Sequence, residues 1–195
     1  MSIKTYKDLK AALARWLKRT NLGEHIPDFI ELAEARLSRI LRVRQMQAIA
    51  TCMTDQCQIE LPEDYLEAVV VTMDGCRLDF VQRHLVDDDE SRYQKHFSIA
   101  GSGLRVHVPP QTFYKISLLY YARLRPLTEK YPSNWLLSDG PDIYLYASLL
   151  EAEPYIKNDQ RVPIWREALA IALSDIQAND ERGRFSGAPL MIQAR

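Results

Sequence analysis

The residues with the clearest chemical potential are four consecutive carboxylates, Asp87, Asp88, Asp89 and Glu90. Carboxylate oxygens are the ligands that Mg²⁺ and Ca²⁺ prefer in proteins. Cation-binding loops place such ligands at alternating positions, whereas contiguous side chains at the start of a helix point in different directions. Because acidic residues in a first turn also stabilise the helix dipole, the pattern favours a short solvated helix over residues 87–95 rather than a metal site.

The histidines are scattered over four separate parts of the chain: His25, His84, His96 and His107. A histidine near a carboxylate is a common general acid–base pair, and His84 lies shortly before Asp87. A small hydrolase that uses His84 and the acidic run is therefore one hypothesis. The sequence lacks the glycine-rich nucleotide loops, the zinc-protease motif and the serine-hydrolase motif. We therefore predict structural histidines and a protein with no catalytic residue, metal or cofactor.

A basic run is the clearest candidate for a contact with another macromolecule. Its members are Arg36, Arg39, Arg42 and Arg44. On a helix they could contact DNA phosphates, an acidic protein surface, or Glu31 and Glu34 of the same helix. The formal net charge of −1 argues against nucleic acid as the main partner, because such proteins usually carry a basic excess. We therefore treat Arg36, Arg39 and Arg42 as a possible protein interface, with DNA binding by this face as the alternative.

Tyrosine and tryptophan residues crowd the second half of the chain, and both types are enriched in protein interfaces. Many of them must belong to the core. We single out Tyr131 and Trp135 as possible interface residues, because both lie in a proline-containing connector between predicted elements.

The chain has 195 residues, of which 47% are hydrophobic and 26% charged, as expected for one globular domain or one domain with an insert. No run approaches the roughly 18 apolar residues of a membrane helix, and the first residues are charged, unlike a signal peptide. The cysteines, Cys52, Cys57 and Cys76, lack metal-binding spacing. We therefore expect a soluble protein, made in a reducing cytoplasm, with buried or half-buried thiols on strands.

Two helices are predicted near the beginning of the chain, where apolar residues recur with helical spacing. The first covers residues 5–19, with a capping box between Thr5 and Asp8 and a C-cap region at Gly23. The second begins near Pro27 and is amphipathic.

Two further helices are predicted after residue 140. One covers residues 141–152, with Asp139 as its N-cap. The other covers about 163–181, and its apolar stripe includes Ile164. Glycines and a proline should stop it, at Gly183, Gly187 and Pro189. The residues expected in the core of the helical body are Trp16, Phe29, Leu37, Leu149, Trp165, Leu169 and Leu173.

The middle of the chain alternates apolar and polar residues, which indicates strands. The segments are 48–53 and 57–61 as a first hairpin, 68–73 and 76–81 as a second, 104–108, and 113–122. Asp74-Gly75 between two apolar runs is the strongest hairpin signal in the sequence. In the last strand one face carries Tyr114, Ile116, Leu118 and Tyr120.

This order of elements predicts an α+β fold, a helical body of about four helices with an inserted β-rich module. The predicted boundaries are residues 1–42 and 123–182 for the helical body, 43–122 for the module and 183–195 for a flexible C-terminal arm. Phe185, Leu190, Met191 and Ile192 make that arm too apolar for an idle solvated tail.

Six short segments carry a family resemblance through their order along the chain. They are residues 5–9, 26–34, 61–67, 121–127, 134–137 and 141–147. Together they resemble the adaptor, or head-completion, proteins of tailed bacteriophages, which are ring-forming connectors that dock beneath the portal. The family has no catalytic signature.

The resemblance implies a non-enzymatic structural protein of the virion neck, made in the host bacterial cytoplasm. It implies a ring of about twelve copies with the portal protein above and a tail or nozzle protein below. DNA would pass through the ring without specific binding, and no membrane is involved. It also gives the arm a partner: Phe185, Leu190, Met191 and Ile192 would grip the portal as an extended segment.

Overall fold

The structure is a computed structural model that describes residues 2–18, 20–82, 96–106, 113–156 and 159–185. The chain divides into two compact units, one made of the residues before Met46 together with those after Arg123, and one made of Met46–Arg123. Within the described residues the first unit contains six α-helices and the second contains seven strands. The predicted α+β class is therefore confirmed.

One helix forms the centre of the helical unit. The helices are α1 (Tyr6–Leu17), α2 (Ile26–Ile40), α3 (Trp135–Asp139), α4 (Pro141–Glu151), α5 (Glu153–Ile156) and α6 (Val162–Phe185). The other five all pack against α4. Seven of the eleven residues of α4 are buried, because a helix that is apolar on every side must be enclosed by its neighbours.

The beginning of α1 follows the prediction and its end does not. Thr5 Oγ1 accepts a hydrogen bond from the backbone N–H of Asp8 at 3.2 Å, and Thr5 N–H donates to Asp8 Oδ2 at 3.1 Å. The helix then ends at Leu17, where Lys18 adopts a left-handed φ of 51°. Gly23 is not its cap, because residues Thr20–His25 form a 3₁₀ helix that leads directly into α2.

The predicted helical core is mostly present; its exceptions are Trp16 and Leu173, and Ile164 of the predicted α6 stripe is not buried either. Phe29, Leu37, Leu149, Trp165 and Leu169 are buried. Trp16 is 39% exposed and lies edge-on against Tyr146, with ring centroids 5.9 Å apart. Leu173 is half-buried, and Ile164 is exposed. These three residues lie at the margins of their apolar stripes, where the packing partner no longer covers the helix.

The predicted N-cap of α4 is also wrong. Asp139 is the last residue of α3, and Gly140 occupies the N-cap position of α4 without a side-chain hydrogen bond. The side chain that caps a helix here is that of Asn134, whose Oδ1 accepts from Leu137 N–H at 2.9 Å. The sequence did not reveal α3 because a helix of five residues is too short to establish a period.

The last helix continues past the residue that should stop it. α6 passes through Gly183 and ends at Phe185, so the first three residues of the predicted arm are helical. Arg44 Nη1 donates to Gly183 O at 2.9 Å, and Arg184 Nε donates to Asp180 Oδ2 at 2.9 Å. These contacts offset the roughly 1 kcal/mol by which glycine disfavours a helix. Residues 186–195, with Leu190, Met191 and Ile192, lie outside the described residues.

The second unit is built on one sheet. Its strands are β1 (Gln47–Thr54), β2 (Gln58–Glu60), β3 (Tyr65–Met73), β4 (Cys76–Phe80), β5 (His96–Ala100), β6 (Gly103–Val106) and β7 (Tyr114–Ala122). The order across the sheet is β1-β7-β3-β4-β5-β6-β2. Neighbours are antiparallel except β4 and β5, which are parallel.

The two edge strands follow each other in the chain, and this forces the sheet to curl. The link from Thr54 to Gln58 spans at most about 14 Å, whereas the edges of a flat seven-stranded sheet would be about 29 Å apart. The predicted hairpin between β1 and β2 is therefore wrong, because β1 pairs with β7 and β2 with β6. The inward side chains form one core: Val71, Leu78, Phe97, Leu104, Val106, Ile116, Leu118 and Tyr120.

The second predicted hairpin is confirmed. Met73 pairs with Cys76, and Asp74 and Gly75 have φ angles of 49° and 81°. Two consecutive residues with positive φ make the turn that matches the twist of the flanking strands. The predicted face of β7 is confirmed as well, with Ile116, Leu118 and Tyr120 buried.

The prediction for this unit missed one strand and was only partly right about the cysteines. β5 was not anticipated, because its five residues follow the predicted helix without a turn signal. That helix, over residues 87–95, lies outside the described residues, as do His84, the four acidic residues and His107. Cys52 is half-buried as expected, but Cys57 and Cys76 are exposed, since both lie where a strand begins.

Candidate functional site

Two of the three arginines predicted as an interface, Arg36 and Arg42, bond instead to groups of the helical unit. Arg36 Nη2 lies 2.8 Å from Glu151 Oε1. Arg42 Nη1 donates to the carbonyl oxygens of Ser38 and Leu41, at 3.0 and 2.6 Å. These bonds stabilise the C-terminal end of α2, where carbonyl groups lack helical partners. Arg39 remains exposed and is the member of the trio best placed to reach a partner.

Glu34 does not pair with these arginines, contrary to one of the expectations. Its side chain is buried, and Oε1 accepts hydrogen bonds from Leu127 N–H at 2.8 Å and from Tyr144 Oη at 3.0 Å. Asn134 Nδ2 donates to Tyr144 Oη at 2.6 Å and to Arg125 O at 2.8 Å. This Glu34 network joins α2, α4 and the connector that precedes α3.

Burial raises the pKa of Glu34 to about 7, although the hydrogen bonds from Leu127 and Tyr144 act in the opposite direction. Burial also raises the pKa of Tyr144, and the nearby charge of Glu34 adds to the effect. A buried carboxyl with a raised pKa is a common feature of active sites. Here the two groups that donate to Glu34 Oε1 belong to the chain itself, the backbone N–H of Leu127 and the hydroxyl of Tyr144. The arrangement therefore positions the connector rather than a reacting molecule.

A second polar cluster lies at the end of α6 and is called the Asp180 clamp below. Asp180 Oδ1 accepts from the backbone N–H and from Nε of Arg44, at 2.9 and 3.0 Å, and Oδ2 accepts from Arg184 Nε at 2.9 Å. Burial raises the pKa of Asp180, but the hydrogen bonds from Arg44 and the charge of Arg184 outweigh it, so the pKa is lowered. A side chain at Gly183 would overlap the Arg44 guanidinium. The clamp therefore holds the helix turn from which residues 186–195 depart.

The two aromatic candidates lie in the connector and at the start of α3. Tyr131 is 36% exposed, and the Arg125 guanidinium stacks on its ring at 3.6 Å from the centroid. Trp135 is half-buried as the first residue of α3. Tyr131 is thus available to a partner, while Trp135 offers only part of its ring.

Sequence reasoning missed several exposed apolar side chains that are better interface candidates than Trp135. On the helices they are Leu32, Ile40, Ile164 and Ile171, and on β1 they are Ile49 and Met53. Single exposed apolar residues are ordinary, but pairs on one helix face indicate contact surfaces. Leu32 and Ile171 could have been found from their phase, because they fall outside the apolar stripes of α2 and α6. Ile164 gives no such signal, because it lies within the predicted stripe.

Two clefts on the described residues lack the side chains of a nucleophilic catalytic site. One, of about 570 Å³, lies on β3, β4 and β5 and is lined mainly by apolar side chains, with Glu67, Arg77 and Asp79. The other, of about 280 Å³, lies between α4 and α6 and carries Asp142 and Asp175. Neither is lined by a histidine, cysteine or serine, and within the described residues no group of His, Cys, Asp or Glu side chains could hold a metal ion.

In the described part of the chain, none of the helices combines the length and the apolar character needed to cross a bilayer. Of the predicted arm residues, Phe185 is the last residue of α6, and the other three lie beyond the described residues.

Comparison with known proteins gives one finding. Residues 4–192 match the family model described as SU10 adaptor protein. No curated protein matches the chain. The match covers both structural units and nearly the whole chain, and it confirms the resemblance to phage adaptor proteins.

Proposed function

The chain belongs to the SU10 adaptor protein family, and from this premise we propose that it forms a ring between the portal and the tail of a phage particle. The ring contains about twelve copies, each using two different faces, as closed head-to-tail assemblies require. Its centre leaves a passage for DNA, and the protein has no catalytic role. The observation that carries the proposal is the family match over residues 4–192.

The charge of the protein supports a channel lining that lets DNA pass rather than a surface that binds it. A formal net charge of −1 provides no excess of cations to neutralise phosphates. Three of the four arginines in the basic run bond to groups of the helical unit: Arg36, Arg42 and Arg44. The alternative, a DNA-binding accessory protein that uses this run, is left mainly with Arg39, because the other three arginines already bond to groups of the chain, and one uncommitted cation supports only weak binding.

We assign portal attachment to the end of the chain, from Phe185, the last residue of α6, through residue 195. Phe185, Leu190, Met191 and Ile192 provide apolar anchors, and an extended segment with such anchors binds by lying in a groove or adding to a sheet edge. Ordering a flexible segment costs entropy, so the anchors must supply the surplus. The Asp180 clamp supports this assignment, because it holds the last turns of α6, directly before these residues in the chain.

Deletion of residues 186–195 tests the proposal. The shortened chain keeps every described helix and strand, so its melting temperature should stay within about 2 °C of that of the full chain. It should fail to attach to the portal protein of the same phage, measured by size-exclusion chromatography with light scattering. The full chain should be a monomer or weak oligomer alone and form a ring on the portal.

A matched control replaces Leu190, Met191 and Ile192 with serine while keeping the length of the segment. Loss of attachment in both variants supports apolar anchoring. Normal attachment of the shortened chain would show that another surface meets the portal. A tight dimer that ignores the portal would count against the adaptor ring itself.

A further inference from the structure

Two helices of the helical unit expose apolar residues with charges of opposite sign between them. The α2 face consists of Leu32, Arg36, Arg39 and Ile40, all of them exposed. On a helix, residues three or four positions apart are surface neighbours, so these four form one stripe. The buried residues of α2 lie on a neighbouring side, against α4, and Arg36 also reaches α4, where its Nη2 lies 2.8 Å from Glu151 Oε1.

The α6 face consists of Ile164, Glu167, Ile171 and Asp175, which are also exposed. Their spacing again places them on one stripe. The nearest cation on the same helix, Arg166, lies on another side, where it pairs with Glu153 at 3.4 Å. The α6 face is therefore apolar and acidic, with no cation within it.

The two faces match in length and in charge. Leu32 and Ile40 are about 12 Å apart along α2, and Ile164 and Ile171 about 11 Å apart along α6, at 1.5 Å per residue. Arg39 forms no hydrogen bond or ion pair within the described part of the chain, and the same holds for Glu167. Exposed charges without a local partner, beside exposed apolar side chains, are typical of a surface that another protein covers.

We infer that the α2 face of one copy packs against the α6 face of the next copy. This inference rests on the proposed ring, which it deepens by assigning the two faces that neighbouring subunits use. Both helices pack on α4 through their buried sides, so the two faces are separate surfaces of one unit and cannot satisfy each other within a chain. Different, complementary faces on one subunit are what a head-to-tail ring contact requires.

Charge reversal tests the pairing on assemblies of the full chain with the portal protein of the same phage. Arg39→Glu places like charges across the contact, which should weaken ring completion at least about ten-fold. Glu167→Arg and Asp175→Arg should each do the same if their carboxylate faces Arg39. Combining Arg39→Glu with one of these two changes should restore the ring. The number of bound copies is counted by native mass spectrometry.

Lys7→Glu is the matched control, because Lys7 is exposed on α1 and lies on neither face; it should leave the ring intact. A second arm uses limiting protein, with about one copy per portal. There Arg39→Glu should bind like the original chain, since no neighbouring copy is present.

Three results would overturn the pairing. The first is rings that form equally well with every single variant. The second is loss that neither double variant repairs. The third is weakened binding of Arg39→Glu at limiting protein, which would mean that the α2 face meets the portal. If the unchanged chain fails to bind the portal, the proposed function is wrong and the pairing is wrong with it. If the unchanged chain forms rings and the variants give one of these three results, only the pairing is wrong.

Discussion

Asp180 and Arg44 are joined twice, because Asp180 Oδ1 accepts from both the backbone N–H and the Nε of Arg44, at 2.9 and 3.0 Å. Arg44 stands two residues before the sheet unit begins at Met46, and Asp180 lies in the last turns of α6. One buried carboxylate thus ties the chain's exit from the helical unit to the base of the C-terminal segment. This relationship makes the clamp the natural place to test what holds the end of α6.

Asp180→Ala should lower the free energy of unfolding by about 2 kcal/mol, because charge-assisted hydrogen bonds to a buried carboxylate are lost. The arginines are partly exposed and regain water, which keeps the loss below that of a fully buried pair. Chemical denaturation measures the change. Asp175→Ala, an exposed aspartate on the same helix, should change stability by less than about 0.5 kcal/mol. Equal effects of the two substitutions would contradict the clamp.

Glu34 should make stability depend on pH near neutrality. Its pKa is raised from 4.5 to about 7 in the folded chain, so between these values the folded state binds more protons than the unfolded state. The contribution of Glu34 to the free energy of unfolding should therefore be greatest below about pH 4.5. It should fall by about 3 kcal/mol as the pH rises through 7 and then level off.

Urea unfolding at a series of pH values measures this dependence. Glu34→Gln keeps a carbonyl acceptor for Leu127 and Tyr144 but cannot ionise, so its profile should be flat between pH 5 and 7. Glu31→Gln, at an exposed position one turn earlier, serves as the control. The charge of Glu31 is the smallest of the causes that act on the pKa of Glu34, so this variant should keep most of the dependence. A slope that survives Glu34→Gln would assign it to another group.

Gly75→Val should destabilise the β3–β4 hairpin by about 1–3 kcal/mol, because a β-branched residue is strained at a φ of 81°. Apart from its two chain neighbours, no heavy atom of the described residues lies within 4 Å of the added Cβ, so the effect isolates backbone strain from crowding. Gly23→Val is the matched control, since Gly23 also has open space around it but no positive φ. Thermal unfolding followed by circular dichroism compares the two. Equal shifts would argue against a strained turn.

Trp165→Ala should cost about 3–5 kcal/mol, the usual loss for a large aromatic residue in a packed core. Trp165 is 2% exposed, whereas Trp16 is 39% exposed. Trp16→Ala should therefore cost markedly less, about 1–2 kcal/mol. Tryptophan fluorescence during urea unfolding measures both variants. A larger loss for Trp16 than for Trp165 would contradict the observed packing.

The sequence by itself determined the features that depend on residues close together in the chain. The capping box of Thr5 and Asp8 and the turn at Asp74-Gly75 arise from local hydrogen bonds and local φ preferences. The amphipathic α2 and the buried face of β7 follow from periodicity, which any packing partner would satisfy. The family resemblance was readable for a similar reason, since it lies in short segments and their order.

Only the tertiary structure decided which side chains meet across the chain. The sequence offers Glu34 as a partner for the arginines of its own helix, yet its partners, Leu127 and Tyr144, lie about 90 to 110 positions away. Arg44 and Asp180 are likewise far apart in the chain, and Arg44 also bonds to Gly183 O, which stabilises α6 where it passes through that glycine. The partners of β1 and β2 also come from distant strands. Burial and strand pairing are set by whichever distant surface packs there, and local spacing contains no record of that surface.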